Sequence, residues 1–354
     1  MEKIDAPFDD SIALLKQMIA IPSYSREEKD VADLLVAYMR SRGFTPQRKE
    51  NNIWISSPDF DINKPTILLN SHIDTVKPVS GWTVNPHEAI ELDGKISGLG
   101  SNDAGASVVS LLHTFIALTQ KTQPYNLLFL ASSEEEVCGK NGIECVLPEL
   151  PPISFGLIGE PTDMNPAIAE KGLMVLDCCV YGQSGHAARE EGDNAIYKAL
   201  SCIDWFKTYQ FPKQSDLLGA VKMSVTMIQS GTQHNVTPDL CTFVVDVRSN
   251  ECYSNAKLLE IITQHCGCEV KARSTRLNSS NISINHPIVQ KALLSGKKAF
   301  GSPTLSDQAL MPFPTLKMGP GQSSRSHTAN EFIQIEEIRE AIEIYIRLLD
   351  DLKI

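Results

Sequence analysis

Leu127-Leu128-Phe129-Leu130-Ala131-Ser132-Ser133-Glu134-Glu135-Glu136 is the stretch on which the reading of this chain turns. The apolar run over residues 127–130 predicts a short buried strand, and three consecutive carboxylates stand at its end. Like charges packed together repel and resist burial, so such a strand end meets either solvent or a cation. A solvated acidic loop satisfies the first case. The second requires partners elsewhere in the chain.

Upstream, a strand predicted over residues 66–70 runs into Ser71-His72-Ile73-Asp74-Thr75. Imidazole and carboxylate two residues apart at a strand end point the same way, which suits a metal ligand with a carboxylate to orient it. Gly98-Leu99-Gly100-Ser101-Asn102-Asp103-Ala104-Gly105 then precedes a long apolar helix through Val108, Leu111, Leu112, Phe115 and Leu118. Asp103 at its start is either an N-cap or a ligand, and the flanking glycines, which permit close backbone approach, are not needed for a cap. Downstream, residues 153–158 predict another buried strand, ending in Gly159-Glu160-Pro161. This strand–helix–strand alternation is that of a layered α/β sheet, whose sites gather at the carboxyl ends of strands. His72 with Asp74, Asp103, Glu134 with Glu135, and Glu160 all fall there. The glycine-rich loop over residues 319–331 adds one more imidazole, His327.

Outside this set, residues 11–21 predict an amphipathic helix, and a capping box at Ser25 and Glu28 starts a second that runs to about Arg42. The pattern changes after residue 171. Strands over 173–181, 221–229, 240–248 and 268–273, with helices over 194–206 and 255–265, follow the order of a ferredoxin-like unit. Beyond a polar linker at 274–283, a helix over 286–300, a strand near 315–318 and a helix over 335–352 resume the first pattern. The expected organisation is an α/β catalytic domain with a mixed sheet between helices, formed by residues 1–171 and 275–354. Residues 172–274 form an inserted ferredoxin-like α+β lid or dimerisation domain.

With 354 residues, 42% of them hydrophobic, the chain can bury a sizeable core. A formal net charge of -11 leaves no electrostatic footprint for nucleic acid or an anionic membrane. Apolar runs stay far short of the ~18 residues that would suggest a membrane span. The nine cysteines include no C-x-x-C pair, which points to reduced, buried thiols. Residues 1–10 lack a basic-then-apolar signal pattern, so a cytoplasmic protein is expected.

Together these motifs resemble the co-catalytic dinuclear zinc amidohydrolases, a family that includes acetylornithine deacetylase, succinyl-diaminopimelate desuccinylase, aminoacylase and carboxypeptidase G. Ile158-Gly-Glu-Pro-Thr162, Gly182-Gln-Ser-Gly-His-Ala-Ala188 and the Gly-Pro-Gly … Ser-His-Thr loop are most similar to the acetylornithine deacetylase branch. The resemblance implies that His72 and Glu160 hold one zinc ion and Glu135 and His327 the other, with Asp103 bridging; cobalt or manganese could substitute. It implies that Asp74 orients His72 and that Glu134 is the general base, although Glu136 leaves this register open. His186 would stabilise the tetrahedral oxyanion, usually from the partner subunit of a homodimer. Asn235 and Arg248 would bind the substrate's carboxylate, while Arg248 at a strand end equally suits a surface ion pair. Asp307 is a candidate partner for a substrate amine, and Arg325 beside His327 a candidate donor to a second carboxylate. His87, His113, His265 and His286 match nothing in the family and read as structural.

The implied reaction is removal of the acyl group from a small N-acyl amino acid. An amide is a poor electrophile and water a poor nucleophile, which is why metal ions and a carboxylate base are wanted together. N-acetyl-L-ornithine, in arginine biosynthesis, is the first expectation. N-succinyl derivatives of ornithine, citrulline or diaminopimelate, or N-acetylcitrulline, are alternatives. A dipeptidase and a non-catalytic scaffold of the same fold are remoter.

Overall fold

The computed structural model describes residues 8–189 and 191–354; most of the N-terminal stretch read for a targeting signal lies outside them. The chain divides into two compact units. One combines the chain up to Ile168 with Asn281–Phe300 and Ser306–Ile354, and the other comprises Ala169–Ser280 with Gly301–Leu305. The junctions thus fall at 168/169 and 280/281 rather than 171/172 and 274/275, and the short piece Gly301–Leu305 was not anticipated.

In the first unit the sheet runs, neighbour to neighbour, Gln47–Lys49, Asn52–Ser56, Asn126–Ser132, Thr66–His72, Phe155–Ile158 and Thr315–Lys317. Asn52–Ser56 is antiparallel to Asn126–Ser132, whereas Thr66–His72 is parallel to both its neighbours. The sheet is mixed, as expected of the α/β class. Thr66–His72 and Asn126–Ser132 are buried along their whole length, which is why their sequences run apolar without alternation. Ile67, Leu69, Leu127 and Phe129 enter the larger core on one face, while Leu68, Leu128 and Leu130 enter a smaller one on the other. The helix Ala106–Leu118 buries every residue except Ile116, as a helix apolar all round must. Parallel pairing sets His72 opposite Ser132 and Asn70 opposite Ile158. The residues that follow the three strands therefore emerge along one edge.

Two helix ends differ from expectation. The helix Lys29–Ser41 has no side-chain cap. The Ser25 hydroxyl donates instead to Asp74 (2.7 Å), and the Glu28 carboxylate accepts from the Arg26 N–H (2.5 Å) and the Asn51 amide (2.8 Å). The helix Pro287–Leu294 stops well before residue 300. Gly296 takes φ +86°, and the amides of residues 295–297 fold back onto carbonyls of the last turn.

The second unit is a four-stranded antiparallel sheet in the order Lys222–Ser230, Leu240–Ser249, Gly172–Tyr181, Glu269–Ala272. Burial alternates residue by residue along the two central strands. Met174, Leu176, Cys178 and Val180, with Cys241, Phe243, Val245 and Val247, pack against Ala199, Phe206, Leu258 and Ile262 of the two helices. Those helices, Ala195–Thr208 and Asn255–His265, start at side-chain caps from Asn194 and Ser254. This is the ferredoxin-like order read from the sequence. Among the described residues no helix is long and apolar enough to cross a membrane.

His113 makes the first unit sensitive to acid. Its Nδ1 donates to the Val109 carbonyl (2.8 Å), so in the neutral ring Nε2 accepts the Tyr38 hydroxyl (2.8 Å). Burial pushes its pKa down to about 4. The unfolded chain takes up this proton near pH 6.5 and the folded chain only near 4, so stability falls as pH drops through that window. Linkage puts the loss between pH 7 and pH 5 at about 2 kcal/mol. Urea unfolding at both pH values should show this slope in the wild type and lose that part of it in His113→Gln.

Candidate metal centre

His72 closes its strand with its side chain buried. Its Nδ1 donates to the Asp74 carbonyl (2.9 Å) and stands 3.4 Å from Asp74 Oδ1. That leaves Nε2 facing Asp103 Oδ1 at 3.2 Å and Glu160 Oε1 at 3.7 Å. Asp74 does more than orient the ring. Its Oδ1 accepts the Glu135 N–H (3.0 Å), and its Oδ2 accepts the Glu136 N–H (3.1 Å) and the Ser25 hydroxyl. Burial alone would raise its pKa; the bonds from His72, Ser25 and the Glu136 amide hold it below the usual carboxylate range. One buried carboxylate thus ties the His72 strand to the acidic loop.

Three adjacent acids need three directions, and a backbone bend supplies them. Glu134 takes φ +56°. Its carboxylate turns to Asn141, whose side-chain amide and N–H donate at 3.1 and 3.4 Å, and its own N–H goes to Glu28 (3.2 Å). Glu135 and Glu136 reach the cluster instead. Glu136 meets His327 Nε2 at 3.0 Å, and Glu135 groups with His72 and Glu136. The pair expected at Glu134 and Glu135 is therefore displaced by one residue, because the left-handed turn at Glu134 swings that side chain out of line.

Asp103 lies in the tight turn Ser101–Gly105, ahead of the helix that begins at Ala106, and caps nothing. Its Oδ1 faces His72, and its Oδ2 lies 3.7 Å from His327 Nε2. The turn closes against Thr75, and a Cβ on Gly100, which has φ +74°, would come within 2.6 Å of that side chain. A Cβ on Gly319 would come within 2.5 Å of the Glu160 carbonyl, so the Gly-Pro-Gly loop rests on the Glu160 backbone. His327, half-exposed, completes the set.

Among the described residues, three groups of side chains have ligand atoms within 4.8 Å of one another: His72, Asp103 and Glu160; Asp103, Glu136 and His327; and His72, Glu135 and Glu136. Asp103 is shared by the first two. The donors are imidazole nitrogen and carboxylate oxygen without thiolate, a set that suits zinc, cobalt or manganese. Electrostatics favour cations here. Burial, reinforced by Asp103 and Glu136, pushes Glu160 up to about 8, and burial with its acidic neighbours holds Glu135 well above the usual range. Burial alone would lower His72, yet Glu135, Asp103, Asp74 and Glu160 raise it well above its ordinary value. The hydrogen bond to Glu136 lifts His327 to about 9. More negative charge is crowded together than two imidazoles neutralise, and divalent ions would relieve it. The residues present fit two such ions.

The remaining sequence candidates divide. Asp307 is buried and accepts the Ser132 hydroxyl (2.6 Å), and its charge adds to those bearing on Glu135. Arg325 is committed elsewhere: its guanidinium donates to Glu337 (2.7 Å) at the start of the last helix and lies 4.5 Å above the Phe332 ring. In the inserted unit, His186 and Asn235 share a small ribbon in which Gly185–His186 pairs with Val236–Thr237 and the Ala187 N–H reaches the Asn235 carbonyl (3.1 Å). Arg248 forks onto Asp246 at 2.8 and 3.1 Å, which is the ion-pair alternative. Sequence reasoning overlooked Ser25 and Glu28, read as a capping box, and Glu331. Its signal was an acid set directly between a ligand loop and an apolar strand.

The profile of peptidase family M20/M25/M40 matches residues 68–351. The chain belongs to this family. It is a metal-dependent amidohydrolase of the M20 type. A putative succinyl-diaminopimelate desuccinylase from Mycobacterium tuberculosis is 26% identical over 96% of this chain and 98% of its own. An acetylornithine deacetylase from Proteus mirabilis is 26% identical over 96% of each chain. The fold is shared with a Bacillus subtilis protein described as a dinuclear metal-binding peptidase of the M20 family, at a TM-score of 0.74, 16% identity and 97% coverage of both chains.

The displaced register has a direct test. Glu136→Gln should lower metal content by about one ion per chain, whereas Glu134→Gln should leave it near that of the parent, because its carboxylate serves Asn141. Metal analysis after reconstitution of both variants checks this; parent-level metal in Glu136→Gln would restore the original register, in which Glu135 is the ligand and Glu134 the base.

Proposed function

We propose that this chain hydrolyses the amide bond of an N-acylated amino acid at a two-zinc site. His72 and Glu160 would hold one ion, Glu136 and His327 the other, and Asp103 would bridge them. The observation that carries this reading is the division of Asp103, one oxygen toward His72 and the other toward His327. Bound ions would lower the pKa of water and polarise the amide carbonyl. Glu135 is then the general base. Its backbone is held by Asp74 and its pKa is raised by burial, which suits a group that must gain and release a proton. It takes the proton from the attacking water and returns it to the nitrogen as the C–N bond breaks, so that carboxylic acid and free amine leave. Glu135→Gln should retain metal while kcat falls by about 10²- to 10⁴-fold.

For the substrate we favour N-acetyl-L-ornithine, which would place the reaction in arginine biosynthesis. An acetyl group needs no second cation, and the arginine nearest His327 in sequence is engaged by Glu337. An N-succinyl amino acid is the second reading, supported by the name of the mycobacterial relative. The ratio of kcat/KM for N-acetyl and N-succinyl forms of ornithine and citrulline decides between them, since it reports differential transition-state binding. A succinyl preference of about a hundredfold would overturn the acyl group. Turnover of plain dipeptides alone would overturn the substrate class.

We further propose a homodimer formed through the inserted unit, with His186 acting on the oxyanion in the partner's site. The edge strand Lys222–Ser230 leaves Met227 and Ile228 more than half exposed, and edge pairing would cover it. Mixing His186→Ala chains with Glu135→Gln chains under exchange conditions should recover activity. A strictly monomeric active species in sedimentation would exclude the arrangement.

A further inference from the structure

Glu331 belongs to none of the groups that could hold an ion, yet it is buried beside them. Its Oε1 accepts the backbone N–H groups of Asn102 (2.8 Å) and Asp103 (2.9 Å), and its Oε2 accepts that of Gly100 (2.9 Å). One side chain thus takes three backbone donors from the turn that carries Asp103 and the residue before it. A second stitch lies nearby. The Asn102 side chain donates to the Gln322 carbonyl (3.2 Å) and Ser326 hydroxyl (3.3 Å) and accepts the Gln322 N–H (3.0 Å). Glu331 follows His327 by four residues in the same loop, so the segment that presents His327 also grips the backbone of Asp103.

Both carboxylate oxygens are used, and a neutral amide side chain would offer one acceptor while turning its NH2 toward the remaining N–H. The acid is buried, beside the like charge of Asp103. A second anion at this spot is sensible where cations offset it.

We propose that Glu331 is a positioning residue for the metal pair: it fixes the rotation of Asp103, so that each carboxylate oxygen faces its own ion, and it locks that rotation to the placement of His327. The inference rests on the two-metal reading above. Its reach is longer than that of an ordinary ligand-orienting carboxylate, because it acts through the main chain on a ligand shared by both ions.

The test compares wild type, Glu331→Gln and Glu331→Asp, each prepared without metal and then titrated with zinc against a competing chelator and, separately, with cobalt. The aspartate keeps the charge but cannot span all three amides. Zinc affinity is expected to fall about 10- to 100-fold in both variants, as for other residues that hold ligands in place. The cobalt absorption bands should shift, kcat should fall more than KM rises, and the metal-free proteins should melt within a few degrees of the wild type. Lowered melting of the metal-free proteins with wild-type zinc affinity and cobalt spectra would make Glu331 merely structural and overturn the proposal. If one variant does not fold, the other carries the same comparison. Wild-type protein that binds neither metal would overturn the two-metal reading, and this inference with it, a result distinct from unaltered binding in the variants alone.

Discussion

Repulsion among buried acids is the constraint on which this structure depends. Asp74, Asp103, Glu135, Glu136 and Glu160 converge where three parallel strands end, with two imidazoles among them. Left in low dielectric without partners, such groups would take up protons or push the chain apart. The fold meets the difficulty by spending main-chain donors. Asp74 receives the amides of Glu135 and Glu136, Glu28 that of Glu134, and Glu331 those of Gly100, Asn102 and Asp103. The acidic loop and the turn that carries Asp103 are thus each held by carboxylates outside the ligand set.

That division of labour explains the local sequence. Glycines at 100 and 319 allow two loops to lie flat against Thr75 and the Glu160 backbone. The left-handed Glu134 lets three acids that are neighbours in sequence face an asparagine, the cluster around His72 and a histidine in turn. The large core beneath, built from Leu69, Phe129, Leu111, Leu112 and Leu316, supplies the rigidity that such positioning needs.

Much of this was legible in advance. Uninterrupted apolar runs mark strands buried on both faces, so residues 66–70 and 127–130 announced themselves, and the order of strands and helices marked the inserted unit. His72, Asp103, Glu160 and His327 were visible because each is a metal-capable residue at a strand end or in a glycine-rich loop. What a string of letters conceals is direction. Nothing in Glu134-Glu135-Glu136 declares which residue adopts φ +56°, so the pair was read one place early. Ser25 and Glu28 have the spacing of a capping box, but tertiary bonds to Asp74 and Asn51 claimed them. Arg325 and Arg248 looked available because their acceptors, Glu337 and Asp246, are recognisable only once the backbone has brought them round.

The discontinuous catalytic unit has a consequence for how the molecule comes into being. Its strands over residues 66–158 are synthesised early, then more than a hundred residues of another unit follow before the chain returns. About 170 residues separate Glu160 from His327, which at ribosomal speeds of roughly 5–20 residues per second is a gap of the order of ten to thirty seconds. During that interval the nascent chain holds its acids without the final imidazole and without the carboxylate that steadies Asp103. Completion of the centre therefore waits until the chain, having passed through the inserted unit, returns to the segment that carries His327 and Glu331.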